Sequence, residues 1–353
     1  MKPIIAMDAH KRYSQFCVQS PTGRVLEECR VDHHPGAIAA FLAQWPHAEA
    51  VALETVGNSY WLVEEIEQAG KQPRLVHAHK AKQMLGSVNK TDRLDARGLN
   101  RLQRTGTLPT VWIPPGSVRD VRELPRLRMV LSRERTRLKN RVHSIFDKYG
   151  FQDRFSDLRD AFGREGRARM AALEPHLPVH TRFALRRLLQ QIEATQNQME
   201  RIERRLHKVF DPTPLLHRLK TLPGVGFILA TVLACEIGQV ERFGSAQQLA
   251  SYAGTVPRVY SSGDRTRYGP LRTDVNHYLK WAFLEAANQV AVHHKQNKHP
   301  HVCQLYRRLR EKKGHAKAVG AVARHLAEAC WWILSKQETY QEPNHQAIFT
   351  TTA

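Results

Sequence analysis

Hydrophobic and polar positions change period along the chain. PIIAMD at 3–8 is a short apolar run that ends on an acid, which predicts a buried strand. FCVQ at 16–19 and VLEECRV at 25–31 predict two more, with Pro21-Thr22-Gly23 as the turn between them. Residues 35–44 predict a helix, and AVALE at 50–54 a fourth strand that again ends on an acid. A helix over 61–70, stopped by Gly70, and a strand RLVH at 74–77 follow. Three consecutive strands, then alternating helices and strands, predict a mixed α/β layer over residues 1–115.

The period then lengthens to seven. Leu124, Leu131, Leu138 and Ile145 repeat at that spacing, as do Leu185, Ile192, Met199 and Leu206, with Thr195, Ile202 and Val209 as a second stripe. Such heptads predict two long helices within 116–214, paired as a coiled coil inside the chain or between chains. Pro125 marks a helix start. An Arg-rich segment, 151–180, joins the two as a short helical connection. Residues 215–336 predict a compact, mostly helical domain, and the polar residues 337–353 a mobile tail. The predicted fold class is α/β plus α.

Composition sharpens this picture mainly through charge. Fifty-four Lys and Arg against thirty-three Asp and Glu give a formal charge of +21. Such an excess answers a polyanion, most commonly nucleic acid, with a ribosomal or membrane-surface protein as the alternative. Basic residues crowd the first long helix (Arg119, Arg122, Arg126, Arg128, Arg133, Arg135, Arg137, Lys139, Arg141) and a second stretch from Lys295 to Lys317. Both predict phosphate tracking. The five cysteines include no C-x-x-C pair, which argues against a disulfide framework or structural zinc and fits a reducing cytoplasm. The N-terminus meets Asp8 before a signal-peptide core can form, and the most apolar stretches are too short to span a membrane. A cytoplasmic protein without a membrane partner is expected.

Three constellations carry candidate chemistry. Asp8 and Glu54 end their strands, and Asp92 and Asp95 sit three apart in KTDRLDARGL. Four convergent carboxylates need a cation among them, and hard oxygen donors select Mg²⁺ or Mn²⁺. Two such ions about 4 Å apart clamp the attacking and leaving oxygens of an in-line phosphoryl displacement. The plain alternative has Asp92 as a helix N-cap with Asp95 at N3, and Asp8 and Glu54 in solvent. In the second constellation, LPGVG at 222–226, a turn between two helices presents backbone N–H groups at Gly224 and Gly226 to a phosphate. It resembles a helix-hairpin-helix, and the alternative is an ordinary αα-turn. In the third, Ser261 and Ser262 are flanked by Arg258, Arg265, Arg267 and Arg272, and read as loop residues that bind phosphate.

Taken in order, MDA at Asp8, LETVGNSYW at Glu54 and KTDRLDA at Asp92 and Asp95 resemble the N-terminal domain of the DEDD insertion-sequence transposases. LPGVG, RFGSAQQLASYAG and PRVYSSG resemble their C-terminal domain. The family is insertion-sequence family one-ten, the bridge-RNA-guided recombinases. The resemblance implies an RNase H-like (RuvC-like) fold for the first domain, with Asp8, Glu54, Asp92 and Asp95 as Mg²⁺ ligands. It places the catalytic serine at Ser262, next to Ser261. That serine would attack a DNA phosphate and form a covalent phosphoserine, helped by metals from a partner subunit. The resemblance also implies a structured non-coding RNA that pairs with double-stranded target and donor DNA, and a homodimer or tetramer joined by the heptad helices.

Two other functions fit parts of the pattern. A RuvC-like nuclease that hydrolyses DNA junctions needs the carboxylates but not Ser262. A non-catalytic nucleic-acid-binding scaffold needs neither.

Overall fold

The structure, a computed structural model, describes residues 2–86, 91–210, 213–263, 265–296 and 298–343. Lys90, Asp264 and residues 344–353 of the segments above therefore lie outside the described residues. The chain divides into two compact units, Met1–Pro114 and Pro115–Ala353.

The first unit contains strands β1 (Ile4–Ala9), β2 (Tyr13–Gln19), β3 (Val25–Asp32), β4 (Ala50–Glu54) and β5 (Gln72–Val76). Helices α1 (Ala37–Ala43), α2 (Ser59–Gln68), α3 (Ala78–Leu85) and α4 (Asp92–Arg104) complete it. The sheet order is β3-β2-β1-β4-β5. The pairs β1–β2 and β2–β3 are antiparallel, and β1–β4 and β4–β5 are parallel. This mixed sheet is consistent with the RNase H-like fold that the resemblance implies.

The central strands are covered on both faces, which is why they read as continuous apolar runs rather than alternating ones. Ile5, Met7, Val51 and Leu53 pack with Ile38, Leu42, Leu62 and Ile66 of α1 and α2. On the opposite face Ala6, Ala52 and Val76 pack with Ala81 of α3 and with Leu99 and Leu102 of α4. Alanine at both central positions leaves room for α4. The buried Asn100 Nδ2 donates to the Cys17 carbonyl of β2 at 2.7 Å and pins that helix in place.

The second unit starts with α5 (Gly116–Lys148), α6 (Arg164–Leu173) and α7 (Val179–Phe210). Pro125 does not begin α5, which starts nine residues earlier; the proline is buried inside the helix. α5 and α7 run antiparallel within the chain. Arg128 pairs with Glu203 near one end, and Tyr149 meets Thr181 at the other. Leu131 packs with Met199, Ile202 and Leu206, while Val142 and Phe146 pack with Leu185 and Ile192. Of the second stripe, Thr195 and Ile202 are buried, but Val209 is exposed.

Helices α8 (Pro214–Lys220), α9 (Phe227–Ile237), α10 (Ala246–Tyr252), α11 (His277–His293), α12 (Pro300–Lys313) and α13 (His315–Lys336) form the largest core of the unit. Residues 257–271 depart from the expected loop. They form a hairpin, β6 (Pro257–Ser262) and β7 (Arg265–Leu271), in which Val259, Tyr260, Thr266 and Tyr268 are the strand-favouring residues. Within residues 337–343, expected as the start of a mobile tail, the chain is instead held by hydrogen bonds. Tyr340 is half-buried, its N–H donates to Thr221 Oγ1 at 2.8 Å, and Glu342 Oε2 accepts from the His301 N–H at 2.9 Å.

The basic stripe expected on α5 is largely spent inside the protein. Arg122 is buried against the fully buried Glu236 of α9, and Arg126 Nε donates to the same carboxylate at 2.7 Å. Asn276 Nδ2 donates to it at 2.9 Å. Arg119 is buried too, Arg135 donates to Gln196, and Lys139 lies over the Phe162 ring. Only outward positions such as Arg133, Arg137 and Arg141 stay exposed, because a helix packed on two sides has few faces left for solvent. The second basic stretch, on α12 and its flanks, is exposed as expected: Arg307, Arg308, Arg310, Lys312, Lys313 and Lys317 all face solvent.

Burial pushes the Glu236 carboxyl up, but the hydrogen bonds from Arg126 and Arg122 outweigh it and hold it below the usual carboxylate range. Glu236→Ala leaves buried cation unbalanced and is expected to cost roughly 3–5 kcal/mol in urea unfolding. A depressed folded pKa contributes fully above the unfolded value, near 4.3 for a glutamate. The contribution fades as pH falls through the lower folded value, so the gap between wild type and variant should narrow in acid.

Candidate active site

The carboxyl ends of β1 and β4 lie side by side. Met7 pairs with Leu53 in the parallel ladder, and the next step of that register sets Asp8 beside Glu54 on the face covered by α4. Thr91 caps α4, its Oγ1 accepting from the Leu94 N–H at 3.3 Å. The cap is thus Thr91 and not Asp92; Asp92 and Asp95 occupy the first turn, where the helix dipole favours negative charge. Asp92 reaches Asp8 across the edge of the sheet, and Asp95 acts on Asp8 through its charge.

A residue that the sequence reading missed stands between them. Asp8, His10 and Asp92 offer ligand atoms that all lie within 4.8 Å of one another. His10 Nε2 is 3.2 Å from Asp8 Oδ2 and 3.1 Å from Asp92 Oδ2. Tyr13 also joins the group, its hydroxyl donating to Asp92 Oδ2 at 3.0 Å. His10 lies in the turn of the β1–β2 hairpin and Tyr13 opens β2, in MDAHKRY, where a histidine two residues beyond a strand-end acid was the available signal.

Burial pushes the Asp8 carboxyl above its ordinary range; the charge of His10 opposes this, and the charges of Asp95 and Asp92 push it further up. A buried carboxylate facing other carboxylates is a poor resting arrangement and a good cation site. The oxygen donors fit a hard divalent ion.

In the second unit the hairpin β6–β7 sorts its residues onto two faces. Ser262 pairs with Arg265, Tyr260 with Arg267, Ser261 with Thr266 and Val259 with Tyr268. Because side chains alternate along a strand, Ser262 shares a face with Arg258, Tyr260, Arg265 and Arg267. Ser261 points to the other face, where its hydroxyl meets Thr266 Oγ1 at 3.4 Å. Gly269 keeps the first face open, since a Cβ there would come within 3.0 Å of the Tyr260 ring. The hairpin is exposed: Tyr260 is 57% and Tyr268 73% accessible. Arg272 lies at its foot and is held by Asp274, whose carboxyl that guanidinium pulls down to about 2. Arg258 Nη2 donates to Thr273 Oγ1 at 2.9 Å.

The LPGVG segment is the turn between α8 and α9. Its two glycines differ. Gly224, at φ +76, packs so tightly on α11 that a Cβ would fall 2.2 Å from the Ala286 carbonyl oxygen. Gly226 precedes α9 with open space around it. The turn borders a cleft of about 400 Å³ whose lining includes Lys220, His293, Lys298 and His299.

A mixed sheet with acidic side chains gathered at its strand ends, followed in the chain by a helical unit, is consistent with a DEDD transposase. Comparison with known proteins agrees: residues 5–151 match a DEDD transposase family of the IS110 type, and residues 216–303 match the family described as Transposase IS116/IS110/IS902. The chain belongs to these transposases, enzymes that cut and rejoin DNA. Among its relatives is a protein of Pseudomonas aeruginosa described as a probable family 20 transposase, 26% identical over 89% of this chain and 91% of its own length. The transposase for insertion sequence element IS1111A of Coxiella burnetii is 24% identical over 96% of this chain and 91% of its own. That for element IS1328 of Yersinia enterocolitica is 27% identical over 74% and 76%. No described helix is long and apolar enough to cross a membrane.

Two outcomes follow from the geometry. In metal-free buffer near neutral pH, Asp8→Asn is expected to raise Tm by a few degrees, because it removes a buried charge facing Asp92 and Asp95. Added Mg²⁺ or Mn²⁺ should stabilise the wild type and not the variant; equal gains in both would place the ion elsewhere. Gly224→Ala is expected to destabilise strongly by strain and clash, and Gly226→Ala hardly at all, as thermal melts would show.

Proposed function

We propose that this transposase exchanges DNA strands through a covalent phosphoserine formed by Ser262. The observation that carries the reading is the hairpin face on which Ser262 stands with Arg258, Arg265 and Arg267. Ser262 Oγ attacks a DNA phosphorus and loses its proton, the bond from phosphorus to the neighbouring sugar oxygen breaks, and a free hydroxyl end leaves. The arginines on the same face stabilise the extra negative charge on the phosphate oxygens. Attack by another strand's hydroxyl reverses these steps and releases the serine.

Asp8, Glu54, Asp92 and Asp95 hold Mg²⁺, with Mn²⁺ as a substitute. When bound, the ion acts as a Lewis acid toward phosphate oxygens. Gly226, at the start of α9, and the LPGVG turn as a helix-hairpin-helix grip the DNA backbone without reading its sequence. Gly224 serves that turn by packing. Target and donor choice belongs to a structured bridge RNA, in keeping with the family resemblance, and the exposed basic stretch on α12 suits such a polyanion. Exposed apolar side chains on the paired long helices, Leu127, Val130, Val179 and Phe183, support association of copies as a coiled-coil dimer or tetramer.

The test is trapping on labelled duplex DNA with Mg²⁺ and the element's own non-coding RNA, resolved on a denaturing gel. A protein–DNA adduct is expected in the wild type and in Ser261→Ala, and none in Ser262→Ala or Asp8→Asn. All forms should retain duplex binding with steep salt dependence. Nicked DNA without an adduct, unchanged in Ser262→Ala, would identify a hydrolytic metal nuclease instead.

A further inference from the structure

We propose that His10 is a ligand of the divalent ion held by Asp8 and Asp92, a nitrogen donor in a site otherwise built of oxygen. The inference rests on the metal reading of that cluster.

His10 Nε2 lies 3.2 Å from one carboxylate oxygen and 3.1 Å from the other, close enough for hydrogen bonds. Yet this nitrogen is buried and makes no hydrogen bond of acceptable direction among the described residues. The ligand atoms of Asp8, His10 and Asp92, all within 4.8 Å of one another, stand close enough to share one ion. Two ligands bound at right angles and about 2.1 Å from one ion stand about 3 Å apart. The spacing of the imidazole to each carboxylate matches that figure.

The surroundings hold the ring where it is. The His10 N–H donates to the Tyr13 carbonyl at 2.9 Å, closing the hairpin turn. Asn58 Nδ2 donates to the His10 carbonyl at 3.3 Å. The Tyr13 ring lies 4.6 Å from the imidazole, and its hydroxyl orients the Asp92 carboxylate. Partners of this kind fix the direction of metal-binding groups. A nitrogen donor raises the affinity of a site for transition ions relative to Mg²⁺, which keeps to oxygen, so His10 moves the preference of the centre towards Mn²⁺.

The test uses the full chain and Mn²⁺ alone, without DNA or RNA. Mn²⁺ binding is titrated by electron paramagnetic resonance, and spin-echo modulation is read for directly coordinated ¹⁴N. The wild type is expected to bind Mn²⁺ with ¹⁴N coupling. His10→Ala, checked for folding by circular dichroism, should lose the coupling and bind about tenfold more weakly. Mg²⁺ affinity, read by competition, should change less. Wild-type Mn²⁺ without ¹⁴N coupling overturns the proposal even if the variant fails to fold, as does coupling that persists in His10→Ala. Absence of Mn²⁺ binding in the wild type, or undiminished binding in Asp8→Asn, would overturn the carboxylate centre itself, a different result from loss of the nitrogen signal alone.

Discussion

Helix α4 meets the sheet where both central strands carry alanine, and the closeness of that contact governs the first unit. Larger residues at Ala6 or Ala52 would lift the helix and carry Asp92 away from Asp8. The contact has an electrostatic cost, because it brings carboxylates together at a partly buried edge. Apolar packing by Leu99 and Leu102, and the Asn100 bond to β2, oppose that repulsion. The arrangement resembles a loaded spring whose catch is a positive charge.

The second unit solves the opposite problem. Here the excess charge is cationic, and some of it is buried: Arg122 and Arg126 converge on Glu236, with Asn276 completing the carboxylate's partners. One acid therefore ties α5 to α9 and to the start of α11.

Much of this was legible in the residues. The central strands β1 and β4 announce themselves as apolar runs, and Asp8 and Glu54 as acids at their ends, because parallel neighbours buried on both faces leave little ambiguity. Heptads located the antiparallel long helices. Three features were hidden for physical reasons. Pro125 lies inside α5 because tertiary packing overrode local propensity. The β6–β7 hairpin was masked by its serines, glycines and arginines, which look like a loop when pairing is unknown. His10 was invisible because its place in the cluster comes from the meeting of a hairpin turn with a helix just over eighty residues away, a distance that no local spacing encodes.

The hairpin also carries an arithmetic of its own. Neighbouring serines, 261 and 262, face opposite ways, so their chemical identities depend on parity rather than on position. Insertion of one residue into β6 before them would exchange the two, presenting the silent hydroxyl among the arginines and turning the other away. Insertion of two would restore the original orientation while shifting the hydroxyl along the ribbon by about one pleat repeat, some 6–7 Å. Length changes in this strand are therefore constrained to even steps, a reading frame written in the pleat rather than in the code. The Tyr260 ring over Gly269 serves as the mark that keeps the two strands in step.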